Sequence, residues 1–222
     1  MSEVGDPPPP PELEAERLEV EPEEQGPLEF GPSVSAFFSE AVSAAAQEQG
    51  YDATFDSKAY VTALLTDYAA PRGAKDFLRQ PMGVSLLVAL QSHAADRFNK
   101  LRAVGDEALL VSGFFSDHLR QRGLEISYAT GLGAVAYENA SQVLRRFNTH
   151  GGSDVFSELS HKFEMFAKLL QVVADSLHAQ AARGPVSLLE LYERWRRSGS
   201  AKIGEALLRR GITPLPGDGT LH

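Results

Sequence analysis

From Pro32 onward, apolar side chains recur at three- and four-residue steps almost without interruption, the signature of amphipathic helices. Val34, Phe37, Phe38 and Val42 define a helix over 33–48, and Gly50 is its natural stop, because glycine adopts the left-handed conformation that closes a helix. Asp56 or Ser57 can cap a second helix carrying Tyr60, Val61, Leu64, Leu65 and Tyr68, which Pro71-Arg72-Gly73 breaks. Pro81 opens a short helix containing Leu86, Leu87 and Leu90. Residues 95–115 read as the buried central helix: Leu101, Val104, Ala108, Val111 and Phe115 share a face, while Leu109, Leu110 and Phe114 add apolar bulk elsewhere. Ser116 to Gly123 is expected to be a polar break.

A helix over 127–148 follows, with Tyr128, Leu132, Ala136, Ala140, Val143 and Phe147 on one side. Gly151-Gly152 reads as a turn and Ser153 as the next cap. The clearest periodicity lies at 154–180, where Phe156, Leu159, Phe163, Phe166, Leu170, Val173 and Leu177 alternate steps of three and four. Bundle helices use such a heptad seam. Packing inside its own domain is the expected role, since sustained coiled coils want more heptads. A homo-oligomer joined through the 156–177 seam is the other reading. Pro185 starts a helix over 186–198 (Leu188, Leu191, Tyr192, Trp195), and Ser200 starts one over 201–210 (Ile203, Leu207, Leu208) that Gly211 ends. No stretch offers alternating strands. The expected fold class is all-α: a single bundle-like domain over 32–215, between a disordered acidic tail (1–31) and a flexible C-terminus (216–222).

Charge changes the picture at one end only. Residues 1–27 hold nine acids and one base, which is −8 of the chain's net −9, together with seven of its 13 prolines. Such a segment has little to bury, so chain entropy is expected to keep it extended, with polyproline II at Pro7 to Pro11. Zero cysteine excludes disulfides, thiolate catalysis and cysteine-held metal centres. The longest apolar runs, 83–90 and 108–115, are too short to span a bilayer, so no integral membrane insertion is expected. Without a signal-like start, a cytoplasmic location is expected.

Several motifs invite chemistry. GLGAVA at 131–136 matches the dinucleotide fingerprint, but the long helix after the next turn leaves no βαβ unit. Gly131 and Gly133 are expected instead to let a neighbouring helix approach, and no cofactor is expected. Glu158-x-x-His161 has the spacing of a carboxylate-bridged metal half-site. No second copy exists and the seam turns both residues to the flank, so a surface pair is expected. Ser116-Asp117-His118 gathers polar groups after a buried helix, and Asp117 with His118 is the candidate general-base pair. Neighbours in sequence rarely share one hydrogen-bonded line, and no nucleophile elbow is present. From Arg183 to Arg210, seven bases face three acids, and Arg194-Trp195-Arg196-Arg197 is the candidate interaction cluster. Nucleic acid is not the expected partner there, because no reading motif accompanies the charge. Trp195 is expected inward and the arginines solvated. The acidic tail is expected to lie transiently over this basic region.

The blocks Gly105-Asp106-x-x-Leu109 plus Ser112-Gly113-Phe114-Phe115, then the Tyr128- and Gly131-containing helix, then Leu191-Tyr192-x-x-Trp195 and Gly211-Ile212-x-Pro214, occur in a familiar order. Over about residues 55–215 the chain resembles a group of uncharacterised bacterial all-helical proteins. The resemblance implies a helical fold and bacterial origin, and no activity or ligand residues. The functional expectation is a non-enzymatic adaptor or regulator whose partner is another protein. The alternatives are an enzyme or small-ligand binder with a pocket near Asp117, His118 and Tyr128, and a nucleic-acid or membrane-surface binder using the basic C-terminal helices.

Overall fold

The computed structural model describes residues 31–70, 80–121, 123, 125–147 and 154–215. The acidic tail, the breaks at 71–73 and 151–152, the Ser153 cap and the 216–222 terminus lie outside these residues. Ten helical segments occur among them: α1 (Gly31–Glu48), α2 (Phe55–Ala69), α3 (Met82–Gln91), α4 (Ala94–Ser112), α5 (Ser116–Gln121), α6 (Ile126–Phe147), α7 (Val155–His161), α8 (Phe163–Ala181), α9 (Pro185–Ser198) and α10 (Ala201–Leu208). The all-helical class is therefore as the periodicity requires, with no strand among the described residues.

Local chemistry sets the ends. Gly50, Gly199 and Gly211 all have φ near +64 to +76°, where a Cβ would be strained, and each follows a helix. The cap of α2 is Thr54, whose hydroxyl accepts from the Ser57 N–H, rather than Asp56 or Ser57. Asp154 caps α7 in the same way, and Ser200 caps α10 as expected. The supposed polar break after the central helix is a short helix, α5. Its Leu119 is fully buried, and a single well-placed apolar side chain outweighs the polar composition around it.

α4 and α6 pack along most of their length at the centre. Glycine permits the approach. A Cβ on Gly105 would enter the ring of Tyr137, and one on Gly133 would meet the ring of Phe163 and, at 2.7 Å, the Ala108 methyl. Gly131 faces open space, so only one glycine of the GLGAVA motif serves helix packing. Tyr137 is wholly buried and joins Tyr60, Phe98, Phe156 and Phe163 in edge-on and tilted ring contacts at 5.3–6.5 Å.

The long helix expected over 154–180 is two. Lys162, at φ −108° and ψ 26°, leaves helical geometry between α7 and α8. The seam survives the break: Phe156, Leu159, Phe163, Phe166, Leu170 and Val173 are all buried within this chain, and Leu177 is half-buried. Those side chains face their own domain, the packing role expected of the seam. A smaller apolar cluster joins the end of α8 to α9 and α10 through Ala179, Ala182, Leu191, Ile203, Ala206 and Leu207.

Candidate functional site

Three polar assemblies join helices through buried or half-buried charged side chains. In the first, Glu158 of α7 reaches the start of α2 across 104 residues of sequence. It accepts from the Thr54 N–H at 3.2 Å, the Thr54 hydroxyl, the Ser57 hydroxyl at 2.7 Å and the Lys162 ammonium at 3.0 Å. Lys162 also donates to the Asp52 carbonyl at 2.6 Å. Burial opposes ionisation, but these donors outweigh it and hold the carboxylate at a pKa of about 2. Glu158 is thus an acid that fastens one helix to the start of another. Its former companion His161 is exposed, with Nδ1 2.7 Å from the Ser157 carbonyl. Among the described residues no cluster of three or more histidines and acids could hold a metal.

The second assembly surrounds Asp106 on α4. One of its oxygens accepts from both the Tyr60 hydroxyl at 2.6 Å and the Tyr137 hydroxyl at 2.8 Å. Arg102 stands 3.4 Å from the other oxygen. Burial pushes the Asp106 carboxyl above the ordinary range despite these partners. Both tyrosines are pushed well above the usual phenol value, by burial first and then by the carboxylate. Neither phenol ionises under ordinary conditions, so both act as hydroxyl donors.

The third assembly gathers two of the sequence candidates. The Arg194 guanidinium donates to Asp175 at 2.9 Å and to Asp117 at 2.5 Å, joining α5, α8 and α9. Arg194 is buried, and the side chain of Asp175 is only 3% exposed. The expectation of solvated arginines therefore fails at this position, while Arg196 and Arg197 are exposed. Arg197 lies 3.9 Å from Glu193. Trp195 is half-buried and covers Gly204. A hollow of about 420 Å³ beside the triad is lined by Phe115, Asp117, His178, Glu190, Arg194 and Arg197 among others. Burial and the Arg194 charge lower the His178 pKa against the pull of Asp175, Asp117 and Glu190. The His118 side chain lies outside the described residues. Tyr128 is exposed on α6 beside Gly83 of α3 and does not line this hollow, so Asp117 and Tyr128 do not converge.

A further concavity, with a volume of about 650 Å³, lies between α1, α8 and α10. Its origin is legible in side-chain size. Ala41, Ala44 and Ala45 of α1 face Ala179 of α8 and Ala206 of α10, so three helices meet without filling the space between them. Phe37 and Leu177 add apolar wall. Charged groups form the rim: Glu40 and Glu48 on α1, and Lys202, Arg209 and Arg210 at α10. Lys202 pairs with Glu48 at 2.6 Å. Arg210 donates to the Ala179 carbonyl at 2.7 Å and to the Ala206 carbonyl at 3.2 Å. Periodicity alone could not find this groove, because alanine is compatible with both a packed and an empty helix face.

No protein-family model, no curated protein and no solved structure matches this chain. No helix of the described residues is long and apolar enough to cross a membrane.

Proposed function

We propose that this chain is a helical protein-docking module, an adaptor or regulator in the cytoplasm, and that the groove between α1, α8 and α10 receives an apolar segment of a partner protein. The carrying observation is the groove itself: a largely apolar lining of alanines, valines and Leu177 with Ser176 and Gln180 among them, long enough to follow α1 from Phe37 to Glu48, and charged residues at Glu40, Glu48, Lys202, Arg209 and Arg210. An amphipathic helix seats in such a trough through residues three and four apart. The carboxylates that could serve chemistry support this reading by their engagement elsewhere. Glu158 holds a helix start, Asp106 satisfies two phenols, and Asp117 and Asp175 share one guanidinium.

The test is selection of amphipathic helical peptides from a display library against the full chain, followed by affinity measurement. Filling the groove with Ala44→Trp is expected to abolish binding of the selected peptides. Ala41→Glu, which places charge on the apolar floor, is expected to do the same. Selected peptides that bind both variants as tightly as the parent chain overturn the proposal. So does a library from which nothing binds.

A further inference from the structure

We infer that the acidic segment at residues 12–30 of this same chain occupies the groove between α1, α8 and α10 and is displaced when a partner binds; this rests on reading the groove as a protein-docking surface. Charge is the first argument. Residues 1–30 contain ten of the 30 acids and one of the 21 bases, which leaves 20 of each in the remainder. The whole net charge of −9 therefore belongs to this segment, and a balanced body attracts it only where positive charge is concentrated. The α10 end of the groove is such a place. Arg209 and Arg210 line it, and the bond from Arg210 to the Ala179 carbonyl sets that charge four residues from Arg183. Of the two rim acids, Glu48 is offset by Lys202, which leaves Glu40 as the opposing charge.

Connectivity is the second argument. The segment runs directly into α1, one wall of the groove. Phe37, the first groove residue, stands six positions after Gly31, roughly 9 Å along the helix axis. An adjoining tether of this kind presents its binding segment at an effective concentration on the order of millimolar. Weak contacts then suffice for occupancy. Side-chain pattern is the third argument. Leu13, Leu18, Val20, Leu28 and Phe30 are distributed among the acids, so apolar groups for the alanine floor alternate with carboxylates for the arginine rim.

The absence of cysteine permits a direct test on the full chain, because one introduced thiol is the sole labelling site. A nitroxide is attached to Glu12→Cys, far from the tether, and the methyl signals of Ala44, Val172 and Ala206 are recorded. Loss of these signals by broadening is expected, while Val88 and Val135 stay sharp. Salt raised from about 0.05 to about 0.5 M contracts the screening length to a few Å and should restore the lost signals. Arg209→Glu with Arg210→Glu should restore them at low salt. A second measurement uses a helical peptide already selected on the groove. Replacing Glu19, Glu21, Glu23 and Glu24 by Gln should tighten its binding about tenfold at low salt and leave it nearly unchanged at high salt. Sharp groove signals in every condition, with equal peptide affinity in both chains, overturn the inference and leave the docking groove standing. If no peptide binds but the labelled segment broadens the groove, the intramolecular contact stands and the external-partner reading falls.

Discussion

Glu158→Gln tests the polar contact that joins α7 to the start of α2. The carboxylate accepts from the Thr54 N–H and hydroxyl, the Ser57 hydroxyl and the Lys162 ammonium. Glutamine keeps one acceptor oxygen and replaces the other with a donor, so at least one hydroxyl or the ammonium meets an N–H. Ser57 is fully buried, and its hydrogen bond to the charged carboxylate, of a kind worth about 1.5–3 kcal/mol, is lost or replaced by a weaker neutral one. Depression of the acid from 4.5 to about 2 is worth an upper limit of about 3 kcal/mol by linkage. The half-exposed Lys162 admits solvent and screening, which reduces this to about 1–2 kcal/mol. The sign follows from the depressed folded-state value. The contribution is fully present above 4.5 and disappears as pH falls through that value toward about 2. Urea unfolding of both chains at neutral pH and near pH 3 is the assay. The variant should lose about 1–2 kcal/mol at neutral pH, with the difference shrinking in acid. An equal loss at both pH values, or none at neutral pH, refutes the assignment.

The two glycines of the 131–136 motif should behave oppositely in thermal unfolding. Gly131→Ala faces open space within a helix and should stabilise by about 0.5–1 kcal/mol, whereas Gly133→Ala meets Phe163 and Ala108 and should destabilise by about 1–3 kcal/mol. Arg194→Met removes the guanidinium that pairs the buried Asp175 and should cost about 3–5 kcal/mol in denaturant unfolding. Ser116 carries a buried hydroxyl without a hydrogen-bond partner among the described residues, so Ser116→Ala should be neutral or stabilising by about 1 kcal/mol in the same assay.

The helices were legible because burial of one face imposes a period, and residues such as Phe166 and Leu170 obey it. The break at Lys162 was hidden because the seam continues through it in register. Only the distant Asp52 carbonyl and Glu158 carboxylate show where the Lys162 side chain goes. α5 was missed for a related reason: one leucine among polar residues has no period, and its burial depends on neighbours remote in sequence. Glu158 was noticed for its spacing to His161, yet its true partners lie more than 100 residues away at Thr54 and Ser57. Arg194 looked like part of a basic surface because sequence counts charges without showing which of them another helix neutralises. Asp106 enters the sequence reading only as part of the Gly105-Asp106-x-x-Leu109 block, because nothing in that block shows that Tyr60 and Tyr137 come from other helices to its carboxylate.

Small residues have opposite consequences in two parts of this molecule, and the facing side chain decides which. At Gly133 the missing Cβ is matched by the ring of Phe163, and at Gly105 by the ring of Tyr137, so backbone and ring come together and the centre is filled. Along α1, alanines face other alanines on α8 and α10, and small against small leaves the space open. Leucine at Ala44, which is exposed on α1 and lines the groove, would narrow it at low local cost. The groove is therefore a consequence of side-chain size at a few positions on α1, α8 and α10.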